Sequence, residues 1–232
     1  MSPDEPENRS QRARSNILAR VRRAQGRGTG ISDTAGIPQA EREALNTYLR
    51  ARPRGPLPRV GADPVRHFRD RAQAMQSTTD AVADWRSVPQ AVARYLADRN
   101  LPASGCVWPS LSRHDWKSAG IDVEARAALD RDLVGITGAY AAIAETGTLM
   151  MLSGADTPGS ASLLPETHIA IVDASRIVPH MEDAWSLLRA EHGQPPRAVN
   201  FISGPSRTGD IEQTIVIGAH GPYRVHIIVV GR

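Results

Sequence analysis

Residues 167–173 read "THIAIVD" and residues 225–230 read "VHIIVV". Neither run alternates apolar with polar positions as a half-exposed strand does, so each suits a strand covered on both faces. Working outward, "TTDAVAD" (Thr78–Asp84), "ASGCVW" (Ala103–Trp108), "DLVGIT" (Asp132–Thr137), "TLMML" (Thr148–Leu152) and "AVNFIS" (Ala198–Ser203) are further extended candidates. Helical patterns lie between them. "DPVRHFRDRAQAMQS" (Asp63–Ser77) opens with an aspartate cap and a first-turn proline, and "VPQAVARYLADRN" (Val88–Asn100) sets Val92, Tyr95 and Leu96 on one face. Strands alternating with helices predict an α/β layered domain with a central, largely parallel sheet, preceded by N-terminal helices.

The chain has 232 residues, enough for one large domain or one domain with a helical appendage. Aromatic residues are few, so the core must rest on Val, Ile, Leu, Ala and Met. The single cysteine, Cys106, excludes an intrachain disulfide and leaves a zinc or iron–sulfur site without its ligands. The histidines have no compact metal spacing, so no metal is expected on this chain. The net charge of +3 says little about partners. No run approaches the ~18 apolar residues of a membrane span, and "MSPDEPENRSQRARSNILARVRRAQ" lacks a signal-peptide core. A cytoplasmic protein is expected.

Residues 1–60 read as an arm and 61–232 as the α/β domain. Within the arm, residues 1–9 are expected to be disordered, followed by a basic helix over Ser10–Gln25 with Ile17, Leu18 and Val21 on one face. That face is expected to dock on its own domain; a partner protein, a membrane or nucleic acid are the alternatives. The scarcity of aromatics for base stacking argues against nucleic acid. A linker is expected over Gly26–Pro38, then a helix from Pro38 to Arg52.

Open α/β sheets bind ligands at the carboxyl ends of their strands, and three junctions are expected there. In "GITGAYAAIAETGTLMM" (Gly135–Met151), Thr137 and Gly138 lead into an expected short helix capped by Gly147, and these three with Thr146 and Thr148 are expected to bind ligand. Glu145 would sit in its last turn, where the helix dipole disfavours a carboxylate by roughly 0.3–1 kcal/mol. Such a group asks for a donor. It is either hydrogen-bonded to nearby amides, with Thr146 and Thr148 flanking it, or a base, nucleophile or ligand contact.

In "AVNFISGPSRTGDIEQ" (Ala198–Gln213), a helix is expected near Thr208, and Ser203, Gly204, Ser206, Arg207 and Thr208 suit a phosphate or carboxylate. Asp210 and Ile211 replace the Lys-Ser/Thr of a P-loop, which excludes one. In "GAHGP" (Gly218–Pro222), His220 is a candidate proton carrier beside Gly221. His168 is expected to be buried and satisfied; His180 and His192 flank a predicted helix and receive no role. The three loops are expected to line a single pocket.

Four blocks in order, "GITGAYAAIAETGTLMM", "SLLPETHIAIV", "FISGPSRTGDIEQTIVIGAHGP" and "VHIIVV", resemble the lactate-utilisation branch of the LUD-domain family. The resemblance implies a fold similar to the ribose-phosphate isomerase, glucosamine-phosphate deaminase and CoA-transferase group. It implies a subunit of an L-lactate oxidation system, acting with iron–sulfur partner proteins and contributing a substrate- or ligand-binding pocket. The clusters would sit on those partners and no cofactor on this chain. The alternative is a stand-alone enzyme acting on a sugar phosphate or an acyl-CoA. In CoA transferases of the related fold a glutamate is the nucleophile, a parallel for Glu145 that rests on fold and not on motif.

Overall fold

The computed structural model describes residues 5–24, 38–211, 214–218 and 220–231. The chain divides into two compact units, Met1–Gly55 and Pro56–Arg232.

The first unit holds α1 (Glu5–Ala24) and α2 (Gln39–Ala51). Helix α1 begins ahead of Ser10, so residues 5–9, expected to be disordered, are helical. The expected linker falls, except for Pro38, outside the described residues. Ile17, Leu18 and Val21 are 61%, 36% and 47% exposed. Helix α2 likewise buries no residue.

The second unit begins with α3 (Pro64–Ala74), β1 (Thr78–Val82), α4 (Val88–Asp98), β2 (Ser104–Val107), β3 (Asp122–Ala125) and β4 (Val134–Gly138). It continues with β5 (Ala141–Ile143), β6 (Thr148–Leu152), α5 (Ser160–Leu163), β7 (Thr167–Asp173), β8 (Ile177–Val178) and α6 (Met181–His192). Strands β9 (Val199–Ile202), β10 (Arg207–Ile211), β11 (Thr214–Ile217) and β12 (Arg224–Val230) complete it.

Local chemistry sets the helix ends. The Asp63 carboxylate accepts the Arg66 amide at 3.1 Å and Pro64 fills the first turn, which starts α3. Helix α4 buries Val88, Ala91, Val92, Tyr95 and Leu96 and packs on β1 and β12.

Six strands form one sheet in the order β1-β12-β7-β4-β2-β3, every neighbouring pair parallel. The two continuous apolar runs, β7 and β12, lie side by side in its interior, with Val225 opposite His168 and Ile228 opposite Ile171. Ile169, Ile171, Val172, Ile228 and Val229 are fully buried.

A second sheet has the order β8-β5-β6-β9, with β5–β6 and β6–β9 antiparallel. Its residues alternate between two cores. Ala142, Leu149 and Met151 join the core of the large sheet, whereas Ala141, Ile143 and Met150 pack with Ala184 and Leu188 of α6. The continuity of "TLMML" thus reports burial on both faces, and not parallel pairing. Each large side chain so buried contributes roughly 1.5–3 kcal/mol.

Two expected helices are hairpins. "AYAAIAETG" forms β5 and the turn into β6, with Gly147 at φ +68° as the left-handed residue of that turn. The register pairs Ala141 with Met150 and Ile143 with Thr148. In place of a helix at Thr208, β10 pairs antiparallel with β11, Arg207 opposite Ile217.

Candidate functional site: a cleft at the carboxyl ends of β4 and β2

From β2 the chain moves outward to β3 at one edge; from β4 it moves the other way, to β7 and then β12. Neighbouring strands whose outgoing connections diverge leave a crevice above their carboxyl ends. A cleft of about 610 Å³ opens there. Its floor is Gly138, the last residue of β4, Ala139 and Tyr140, which follow it, and Trp108, which follows β2. The second sheet adds Leu152, Ser153, Gly154 and Thr157, and the end of α6 adds His192, Gln194 and Pro196.

The aromatic walls are held in place. The Trp108 amide donates to Ile136 O at 2.9 Å, continuing the ladder, and its indole N–H donates to Pro158 O at 3.0 Å. A β-carbon at Gly138 would stand 3.7 Å from Cε3 and Cζ3 of that indole, so the ring lies against bare backbone. The Tyr140 amide donates to Met150 O at 2.9 Å, and its hydroxyl donates to Glu191 at 2.7 Å. Arg176 grips the same carboxylate with two N–H groups at 2.6 and 2.9 Å and donates Nε–H to Tyr140 O at 2.9 Å. Its guanidinium carbon lies 4.5 Å from the Tyr140 ring centre, within cation–π range. The His192 ring lies 5.5 Å from Tyr140.

Arg176, and after it the Tyr140 hydroxyl, holds the Glu191 carboxyl down at about 2. Burial first, and then Glu191, raises the Tyr140 phenol above its ordinary value. At neutral pH the trio is a neutral phenol bridged to a closed ion pair.

Of the residues expected from sequence to bind ligand, Gly138 alone lines this cleft. Thr137 is buried beneath it, its hydroxyl 2.8 Å from Nε2 of His168. The partner of His168 was expected, but its Nδ1 is buried without one.

The expected loops gather at the other end of the large sheet. Thr146 donates to the Thr148 hydroxyl at 2.7 Å, and Thr148 and Ser203 hydroxyls lie 2.6 Å apart. Ser206 donates its amide to Pro222 O at 2.8 Å, accepts the Gly218 amide at its carbonyl at 2.9 Å, and accepts the His220 amide at its hydroxyl at 3.4 Å. Gly221 packs beside Ser206, and Gly204 packs on Met75, three residues before β1. The "GAHGP" loop precedes β12, and β9 belongs to the second sheet, so neither reaches the carboxyl end of the parallel sheet. Arg207 is exposed at the start of β10; Thr208 follows it opposite Val216.

Glu145 is at the hairpin tip. Its carboxylate accepts the Met181 amide at 2.9 Å and lies 2.8 Å from Nδ1 of His180, so it caps the N-terminus of α6. Expected at the unfavourable end of one helix, it occupies the favourable end of another. Helix α6 has twelve residues, about 18 Å at 1.5 Å per residue, and its far end meets the cleft. Glu145 and the cleft are separated by that length.

Sequence reasoning missed Trp108, Tyr140, Arg176, Glu191 and His192. Tyr140 and His192 were visible as a lone tyrosine in an alanine run and a histidine before glycine, but nothing local joins them to Arg176. Among the described residues no three His, Cys, Asp or Glu side chains converge as metal ligands. Cys106 is buried in β2, and burial pushes its thiol up to about 11. No described helix is long and apolar enough to cross a membrane.

The parallel sheet, the hairpin-built second layer and the cleft at the switch point define a layered α/β protein with a preformed crevice. The chain belongs to the LUD-domain family, whose profile matches residues 109–230, over half its length. It is similar to proteins named Lactate utilization protein C. The identity is 46% over 100 residues with that of Halalkalibacterium halodurans, covering 42% of this chain and 44% of the relative. With that of Bacillus subtilis it is 39% over 133 residues, covering 52% and 55%. The chain spans about half the length of the curated relatives it matches. A solved DUF162 family protein from Deinococcus radiodurans superposes with a TM-score of 0.57 at 28% identity, covering 75% of this chain and all (100%) of that one.

Proposed function

We propose that this chain works in the cytoplasm as the ligand-binding subunit of an L-lactate utilisation system, with iron–sulfur partner proteins carrying the electrons. The names of the relatives supply the pathway. The observation that carries the binding role is the cleft: Gly138, Tyr140, Leu152 and His192 all fall within the segment matched to the family. With one cysteine in the sequence, cluster chemistry has to reside on other chains. Glu145 in this reading holds α6 in place, and Arg207 and His220 belong to the opposite, loop-rich end. A sugar phosphate or acyl-CoA substrate is the weaker reading, because no Arg or Lys lines the cleft among the described residues.

The test is genetic and biochemical together. A strain lacking the chain is expected to lose growth on L-lactate and regain it with the wild-type gene, and iron–sulfur polypeptides are expected to co-elute at native expression level. Unimpaired growth of the deletion strain, or lactate consumption by the purified chain alone with an artificial acceptor, would overturn the proposal.

A further inference from the structure

The cleft has a chemical character that the lactate reading does not explain. Its volume of about 610 Å³ falls among pockets for drug-sized ligands, roughly 300–1,000 Å³. L-lactate, a three-carbon hydroxy acid, would fill a small part of it. More decisive is charge: among the described residues no Asp, Glu, Lys or Arg lines the cleft. The guanidinium of Arg176, which lies over the Tyr140 ring, is committed by two hydrogen bonds to Glu191. A carboxylate or phosphate placed there would lose water without gaining a cation, an unfavourable exchange.

What the walls do offer is aromatic surface and a few neutral hydrogen-bonding groups. Trp108 is almost wholly buried, so the ring surface facing the cleft is that of Tyr140, which is fixed by its own hydrogen bonds before any ligand arrives. Ser153 accepts the Ala198 amide and Thr157 donates to Leu152 O, which leaves these two hydroxyls engaged with backbone. The Ser110 hydroxyl, the Gln194 amide and the His192 imidazole have no hydrogen-bond partner among the described residues. A rigid phenol ring, a lining without Asp, Glu, Lys or Arg among the described residues, and three polar groups without a partner match a flat ring with polar atoms at its edge.

We propose that the cleft binds a planar, uncharged, conjugated ring bearing carbonyl or ring-nitrogen groups, and that the small hydroxy acid is not its occupant. This rests on reading the cleft as the ligand site. The ring can come from a quinone, an isoalloxazine or a purine, which share this chemistry.

Equilibrium dialysis of the full chain against menadione, riboflavin and adenosine tests it. L-lactate and inorganic phosphate serve as competitors. Two variants fill the cleft: Gly138→Leu from its floor, where a β-carbon meets no atom closer than 3.7 Å, and Ser110→Phe from an exposed position. The expected result is binding of at least one ring to wild type, weakened at least roughly tenfold in each variant that keeps the wild-type melting curve, and undisturbed by either anion. The ring that binds identifies the source.

Failure of all three rings to bind, equal binding in the variants, or displacement by L-lactate or phosphate would each overturn the inference. Growth on L-lactate separates the two proposals. Lost ring binding with intact growth dependence sinks only this one, and the reverse sinks only the lactate assignment.

Discussion

Glu145 and Met181 are 36 residues apart in sequence, yet the carboxylate of one caps the helix begun by the other. The need for a donor was legible in "AIAETG"; the donor was not, because it comes from a distant helix start. Glu145→Ala is expected to lower stability by about 2 kcal/mol, the cost of a lost cap with a charge-assisted bond. Glu145→Gln, which keeps an acceptor for the Met181 amide, is expected to cost about half as much on the same scale. Urea unfolding measures both, and unchanged midpoints would show that the cap is idle. Activity per folded molecule in the assembled system is expected to hold for Gln; a fall without a change in midpoint would return Glu145 to the chemistry. Gly147 and Gly204 were legible as turn formers, but their tightness was not. A β-carbon would lie 2.3 Å from the Ala72 amide nitrogen at Gly147 and 2.1 Å from Met75 O at Gly204. Both have positive φ, so alanine at either adds about 1–2 kcal/mol of backbone strain before the clash is counted. The corresponding variants are expected to unfold at clearly lower urea concentration or to accumulate poorly.

At the scale of elements, the strands flanking the helices were legible and the hairpins were not. An alanine-rich run favours a helix by local propensity, but burial between the large sheet and α6 selects an extended chain with small side chains on both faces. That selection is a tertiary fact with no local signature. The same burial makes β7 and β12 sensitive to acid. Each carries one buried histidine, His168 and His226, and loss of solvation pulls both imidazoles down to about 4. The His226 ring stacks on Tyr95 with centroids 3.8 Å apart, and its Nδ1 lies 2.8 Å from the Thr78 hydroxyl. Above pH ~6.5 folded and unfolded chains both carry neutral rings, and no penalty arises. As pH falls from there towards 4, the unfolded chain takes up protons that the folded chain refuses, so stability falls by up to about 3 kcal/mol per histidine. Unfolding midpoints measured from pH 7 down to pH 4 are expected to decline, with His168→Gln and His226→Gln each making the slope shallower. A flat profile in wild type would contradict this account.

At the scale of the molecule, the division of labour was legible in outline: a basic helical segment ahead of an α/β unit with a parallel sheet. The cleft was not, since its lining is drawn from β2, β4, the second sheet and α6, and topology alone brings those together. Residues 1–55 form a compact unit of their own, and Ile17, Leu18, Val21, Leu45, Tyr48 and Leu49 in it are exposed. The truncated chain is expected to melt within about 2 °C of the full one, a shift below that of a 1 kcal/mol change; a drop of many degrees in a calorimetric scan would mean that those helices brace the rest. The strand order carries one more consequence, for the ribosome. Strand β1 pairs with β12 and with no other described strand, and β12 is also the bridge from β1 to β7. Roughly 150 residues separate β1 from β12, so at 5–20 residues per second β1 waits on the order of 10–30 s for its neighbour. During that interval the nascent chain offers two open hydrogen-bonding edges, on β1 and on β7, that only the late-arriving β12 can close. Translational pausing ahead of Arg224, or a nonsense codon there, leaves a product whose exposed edges invite chaperones, proteases and aggregation.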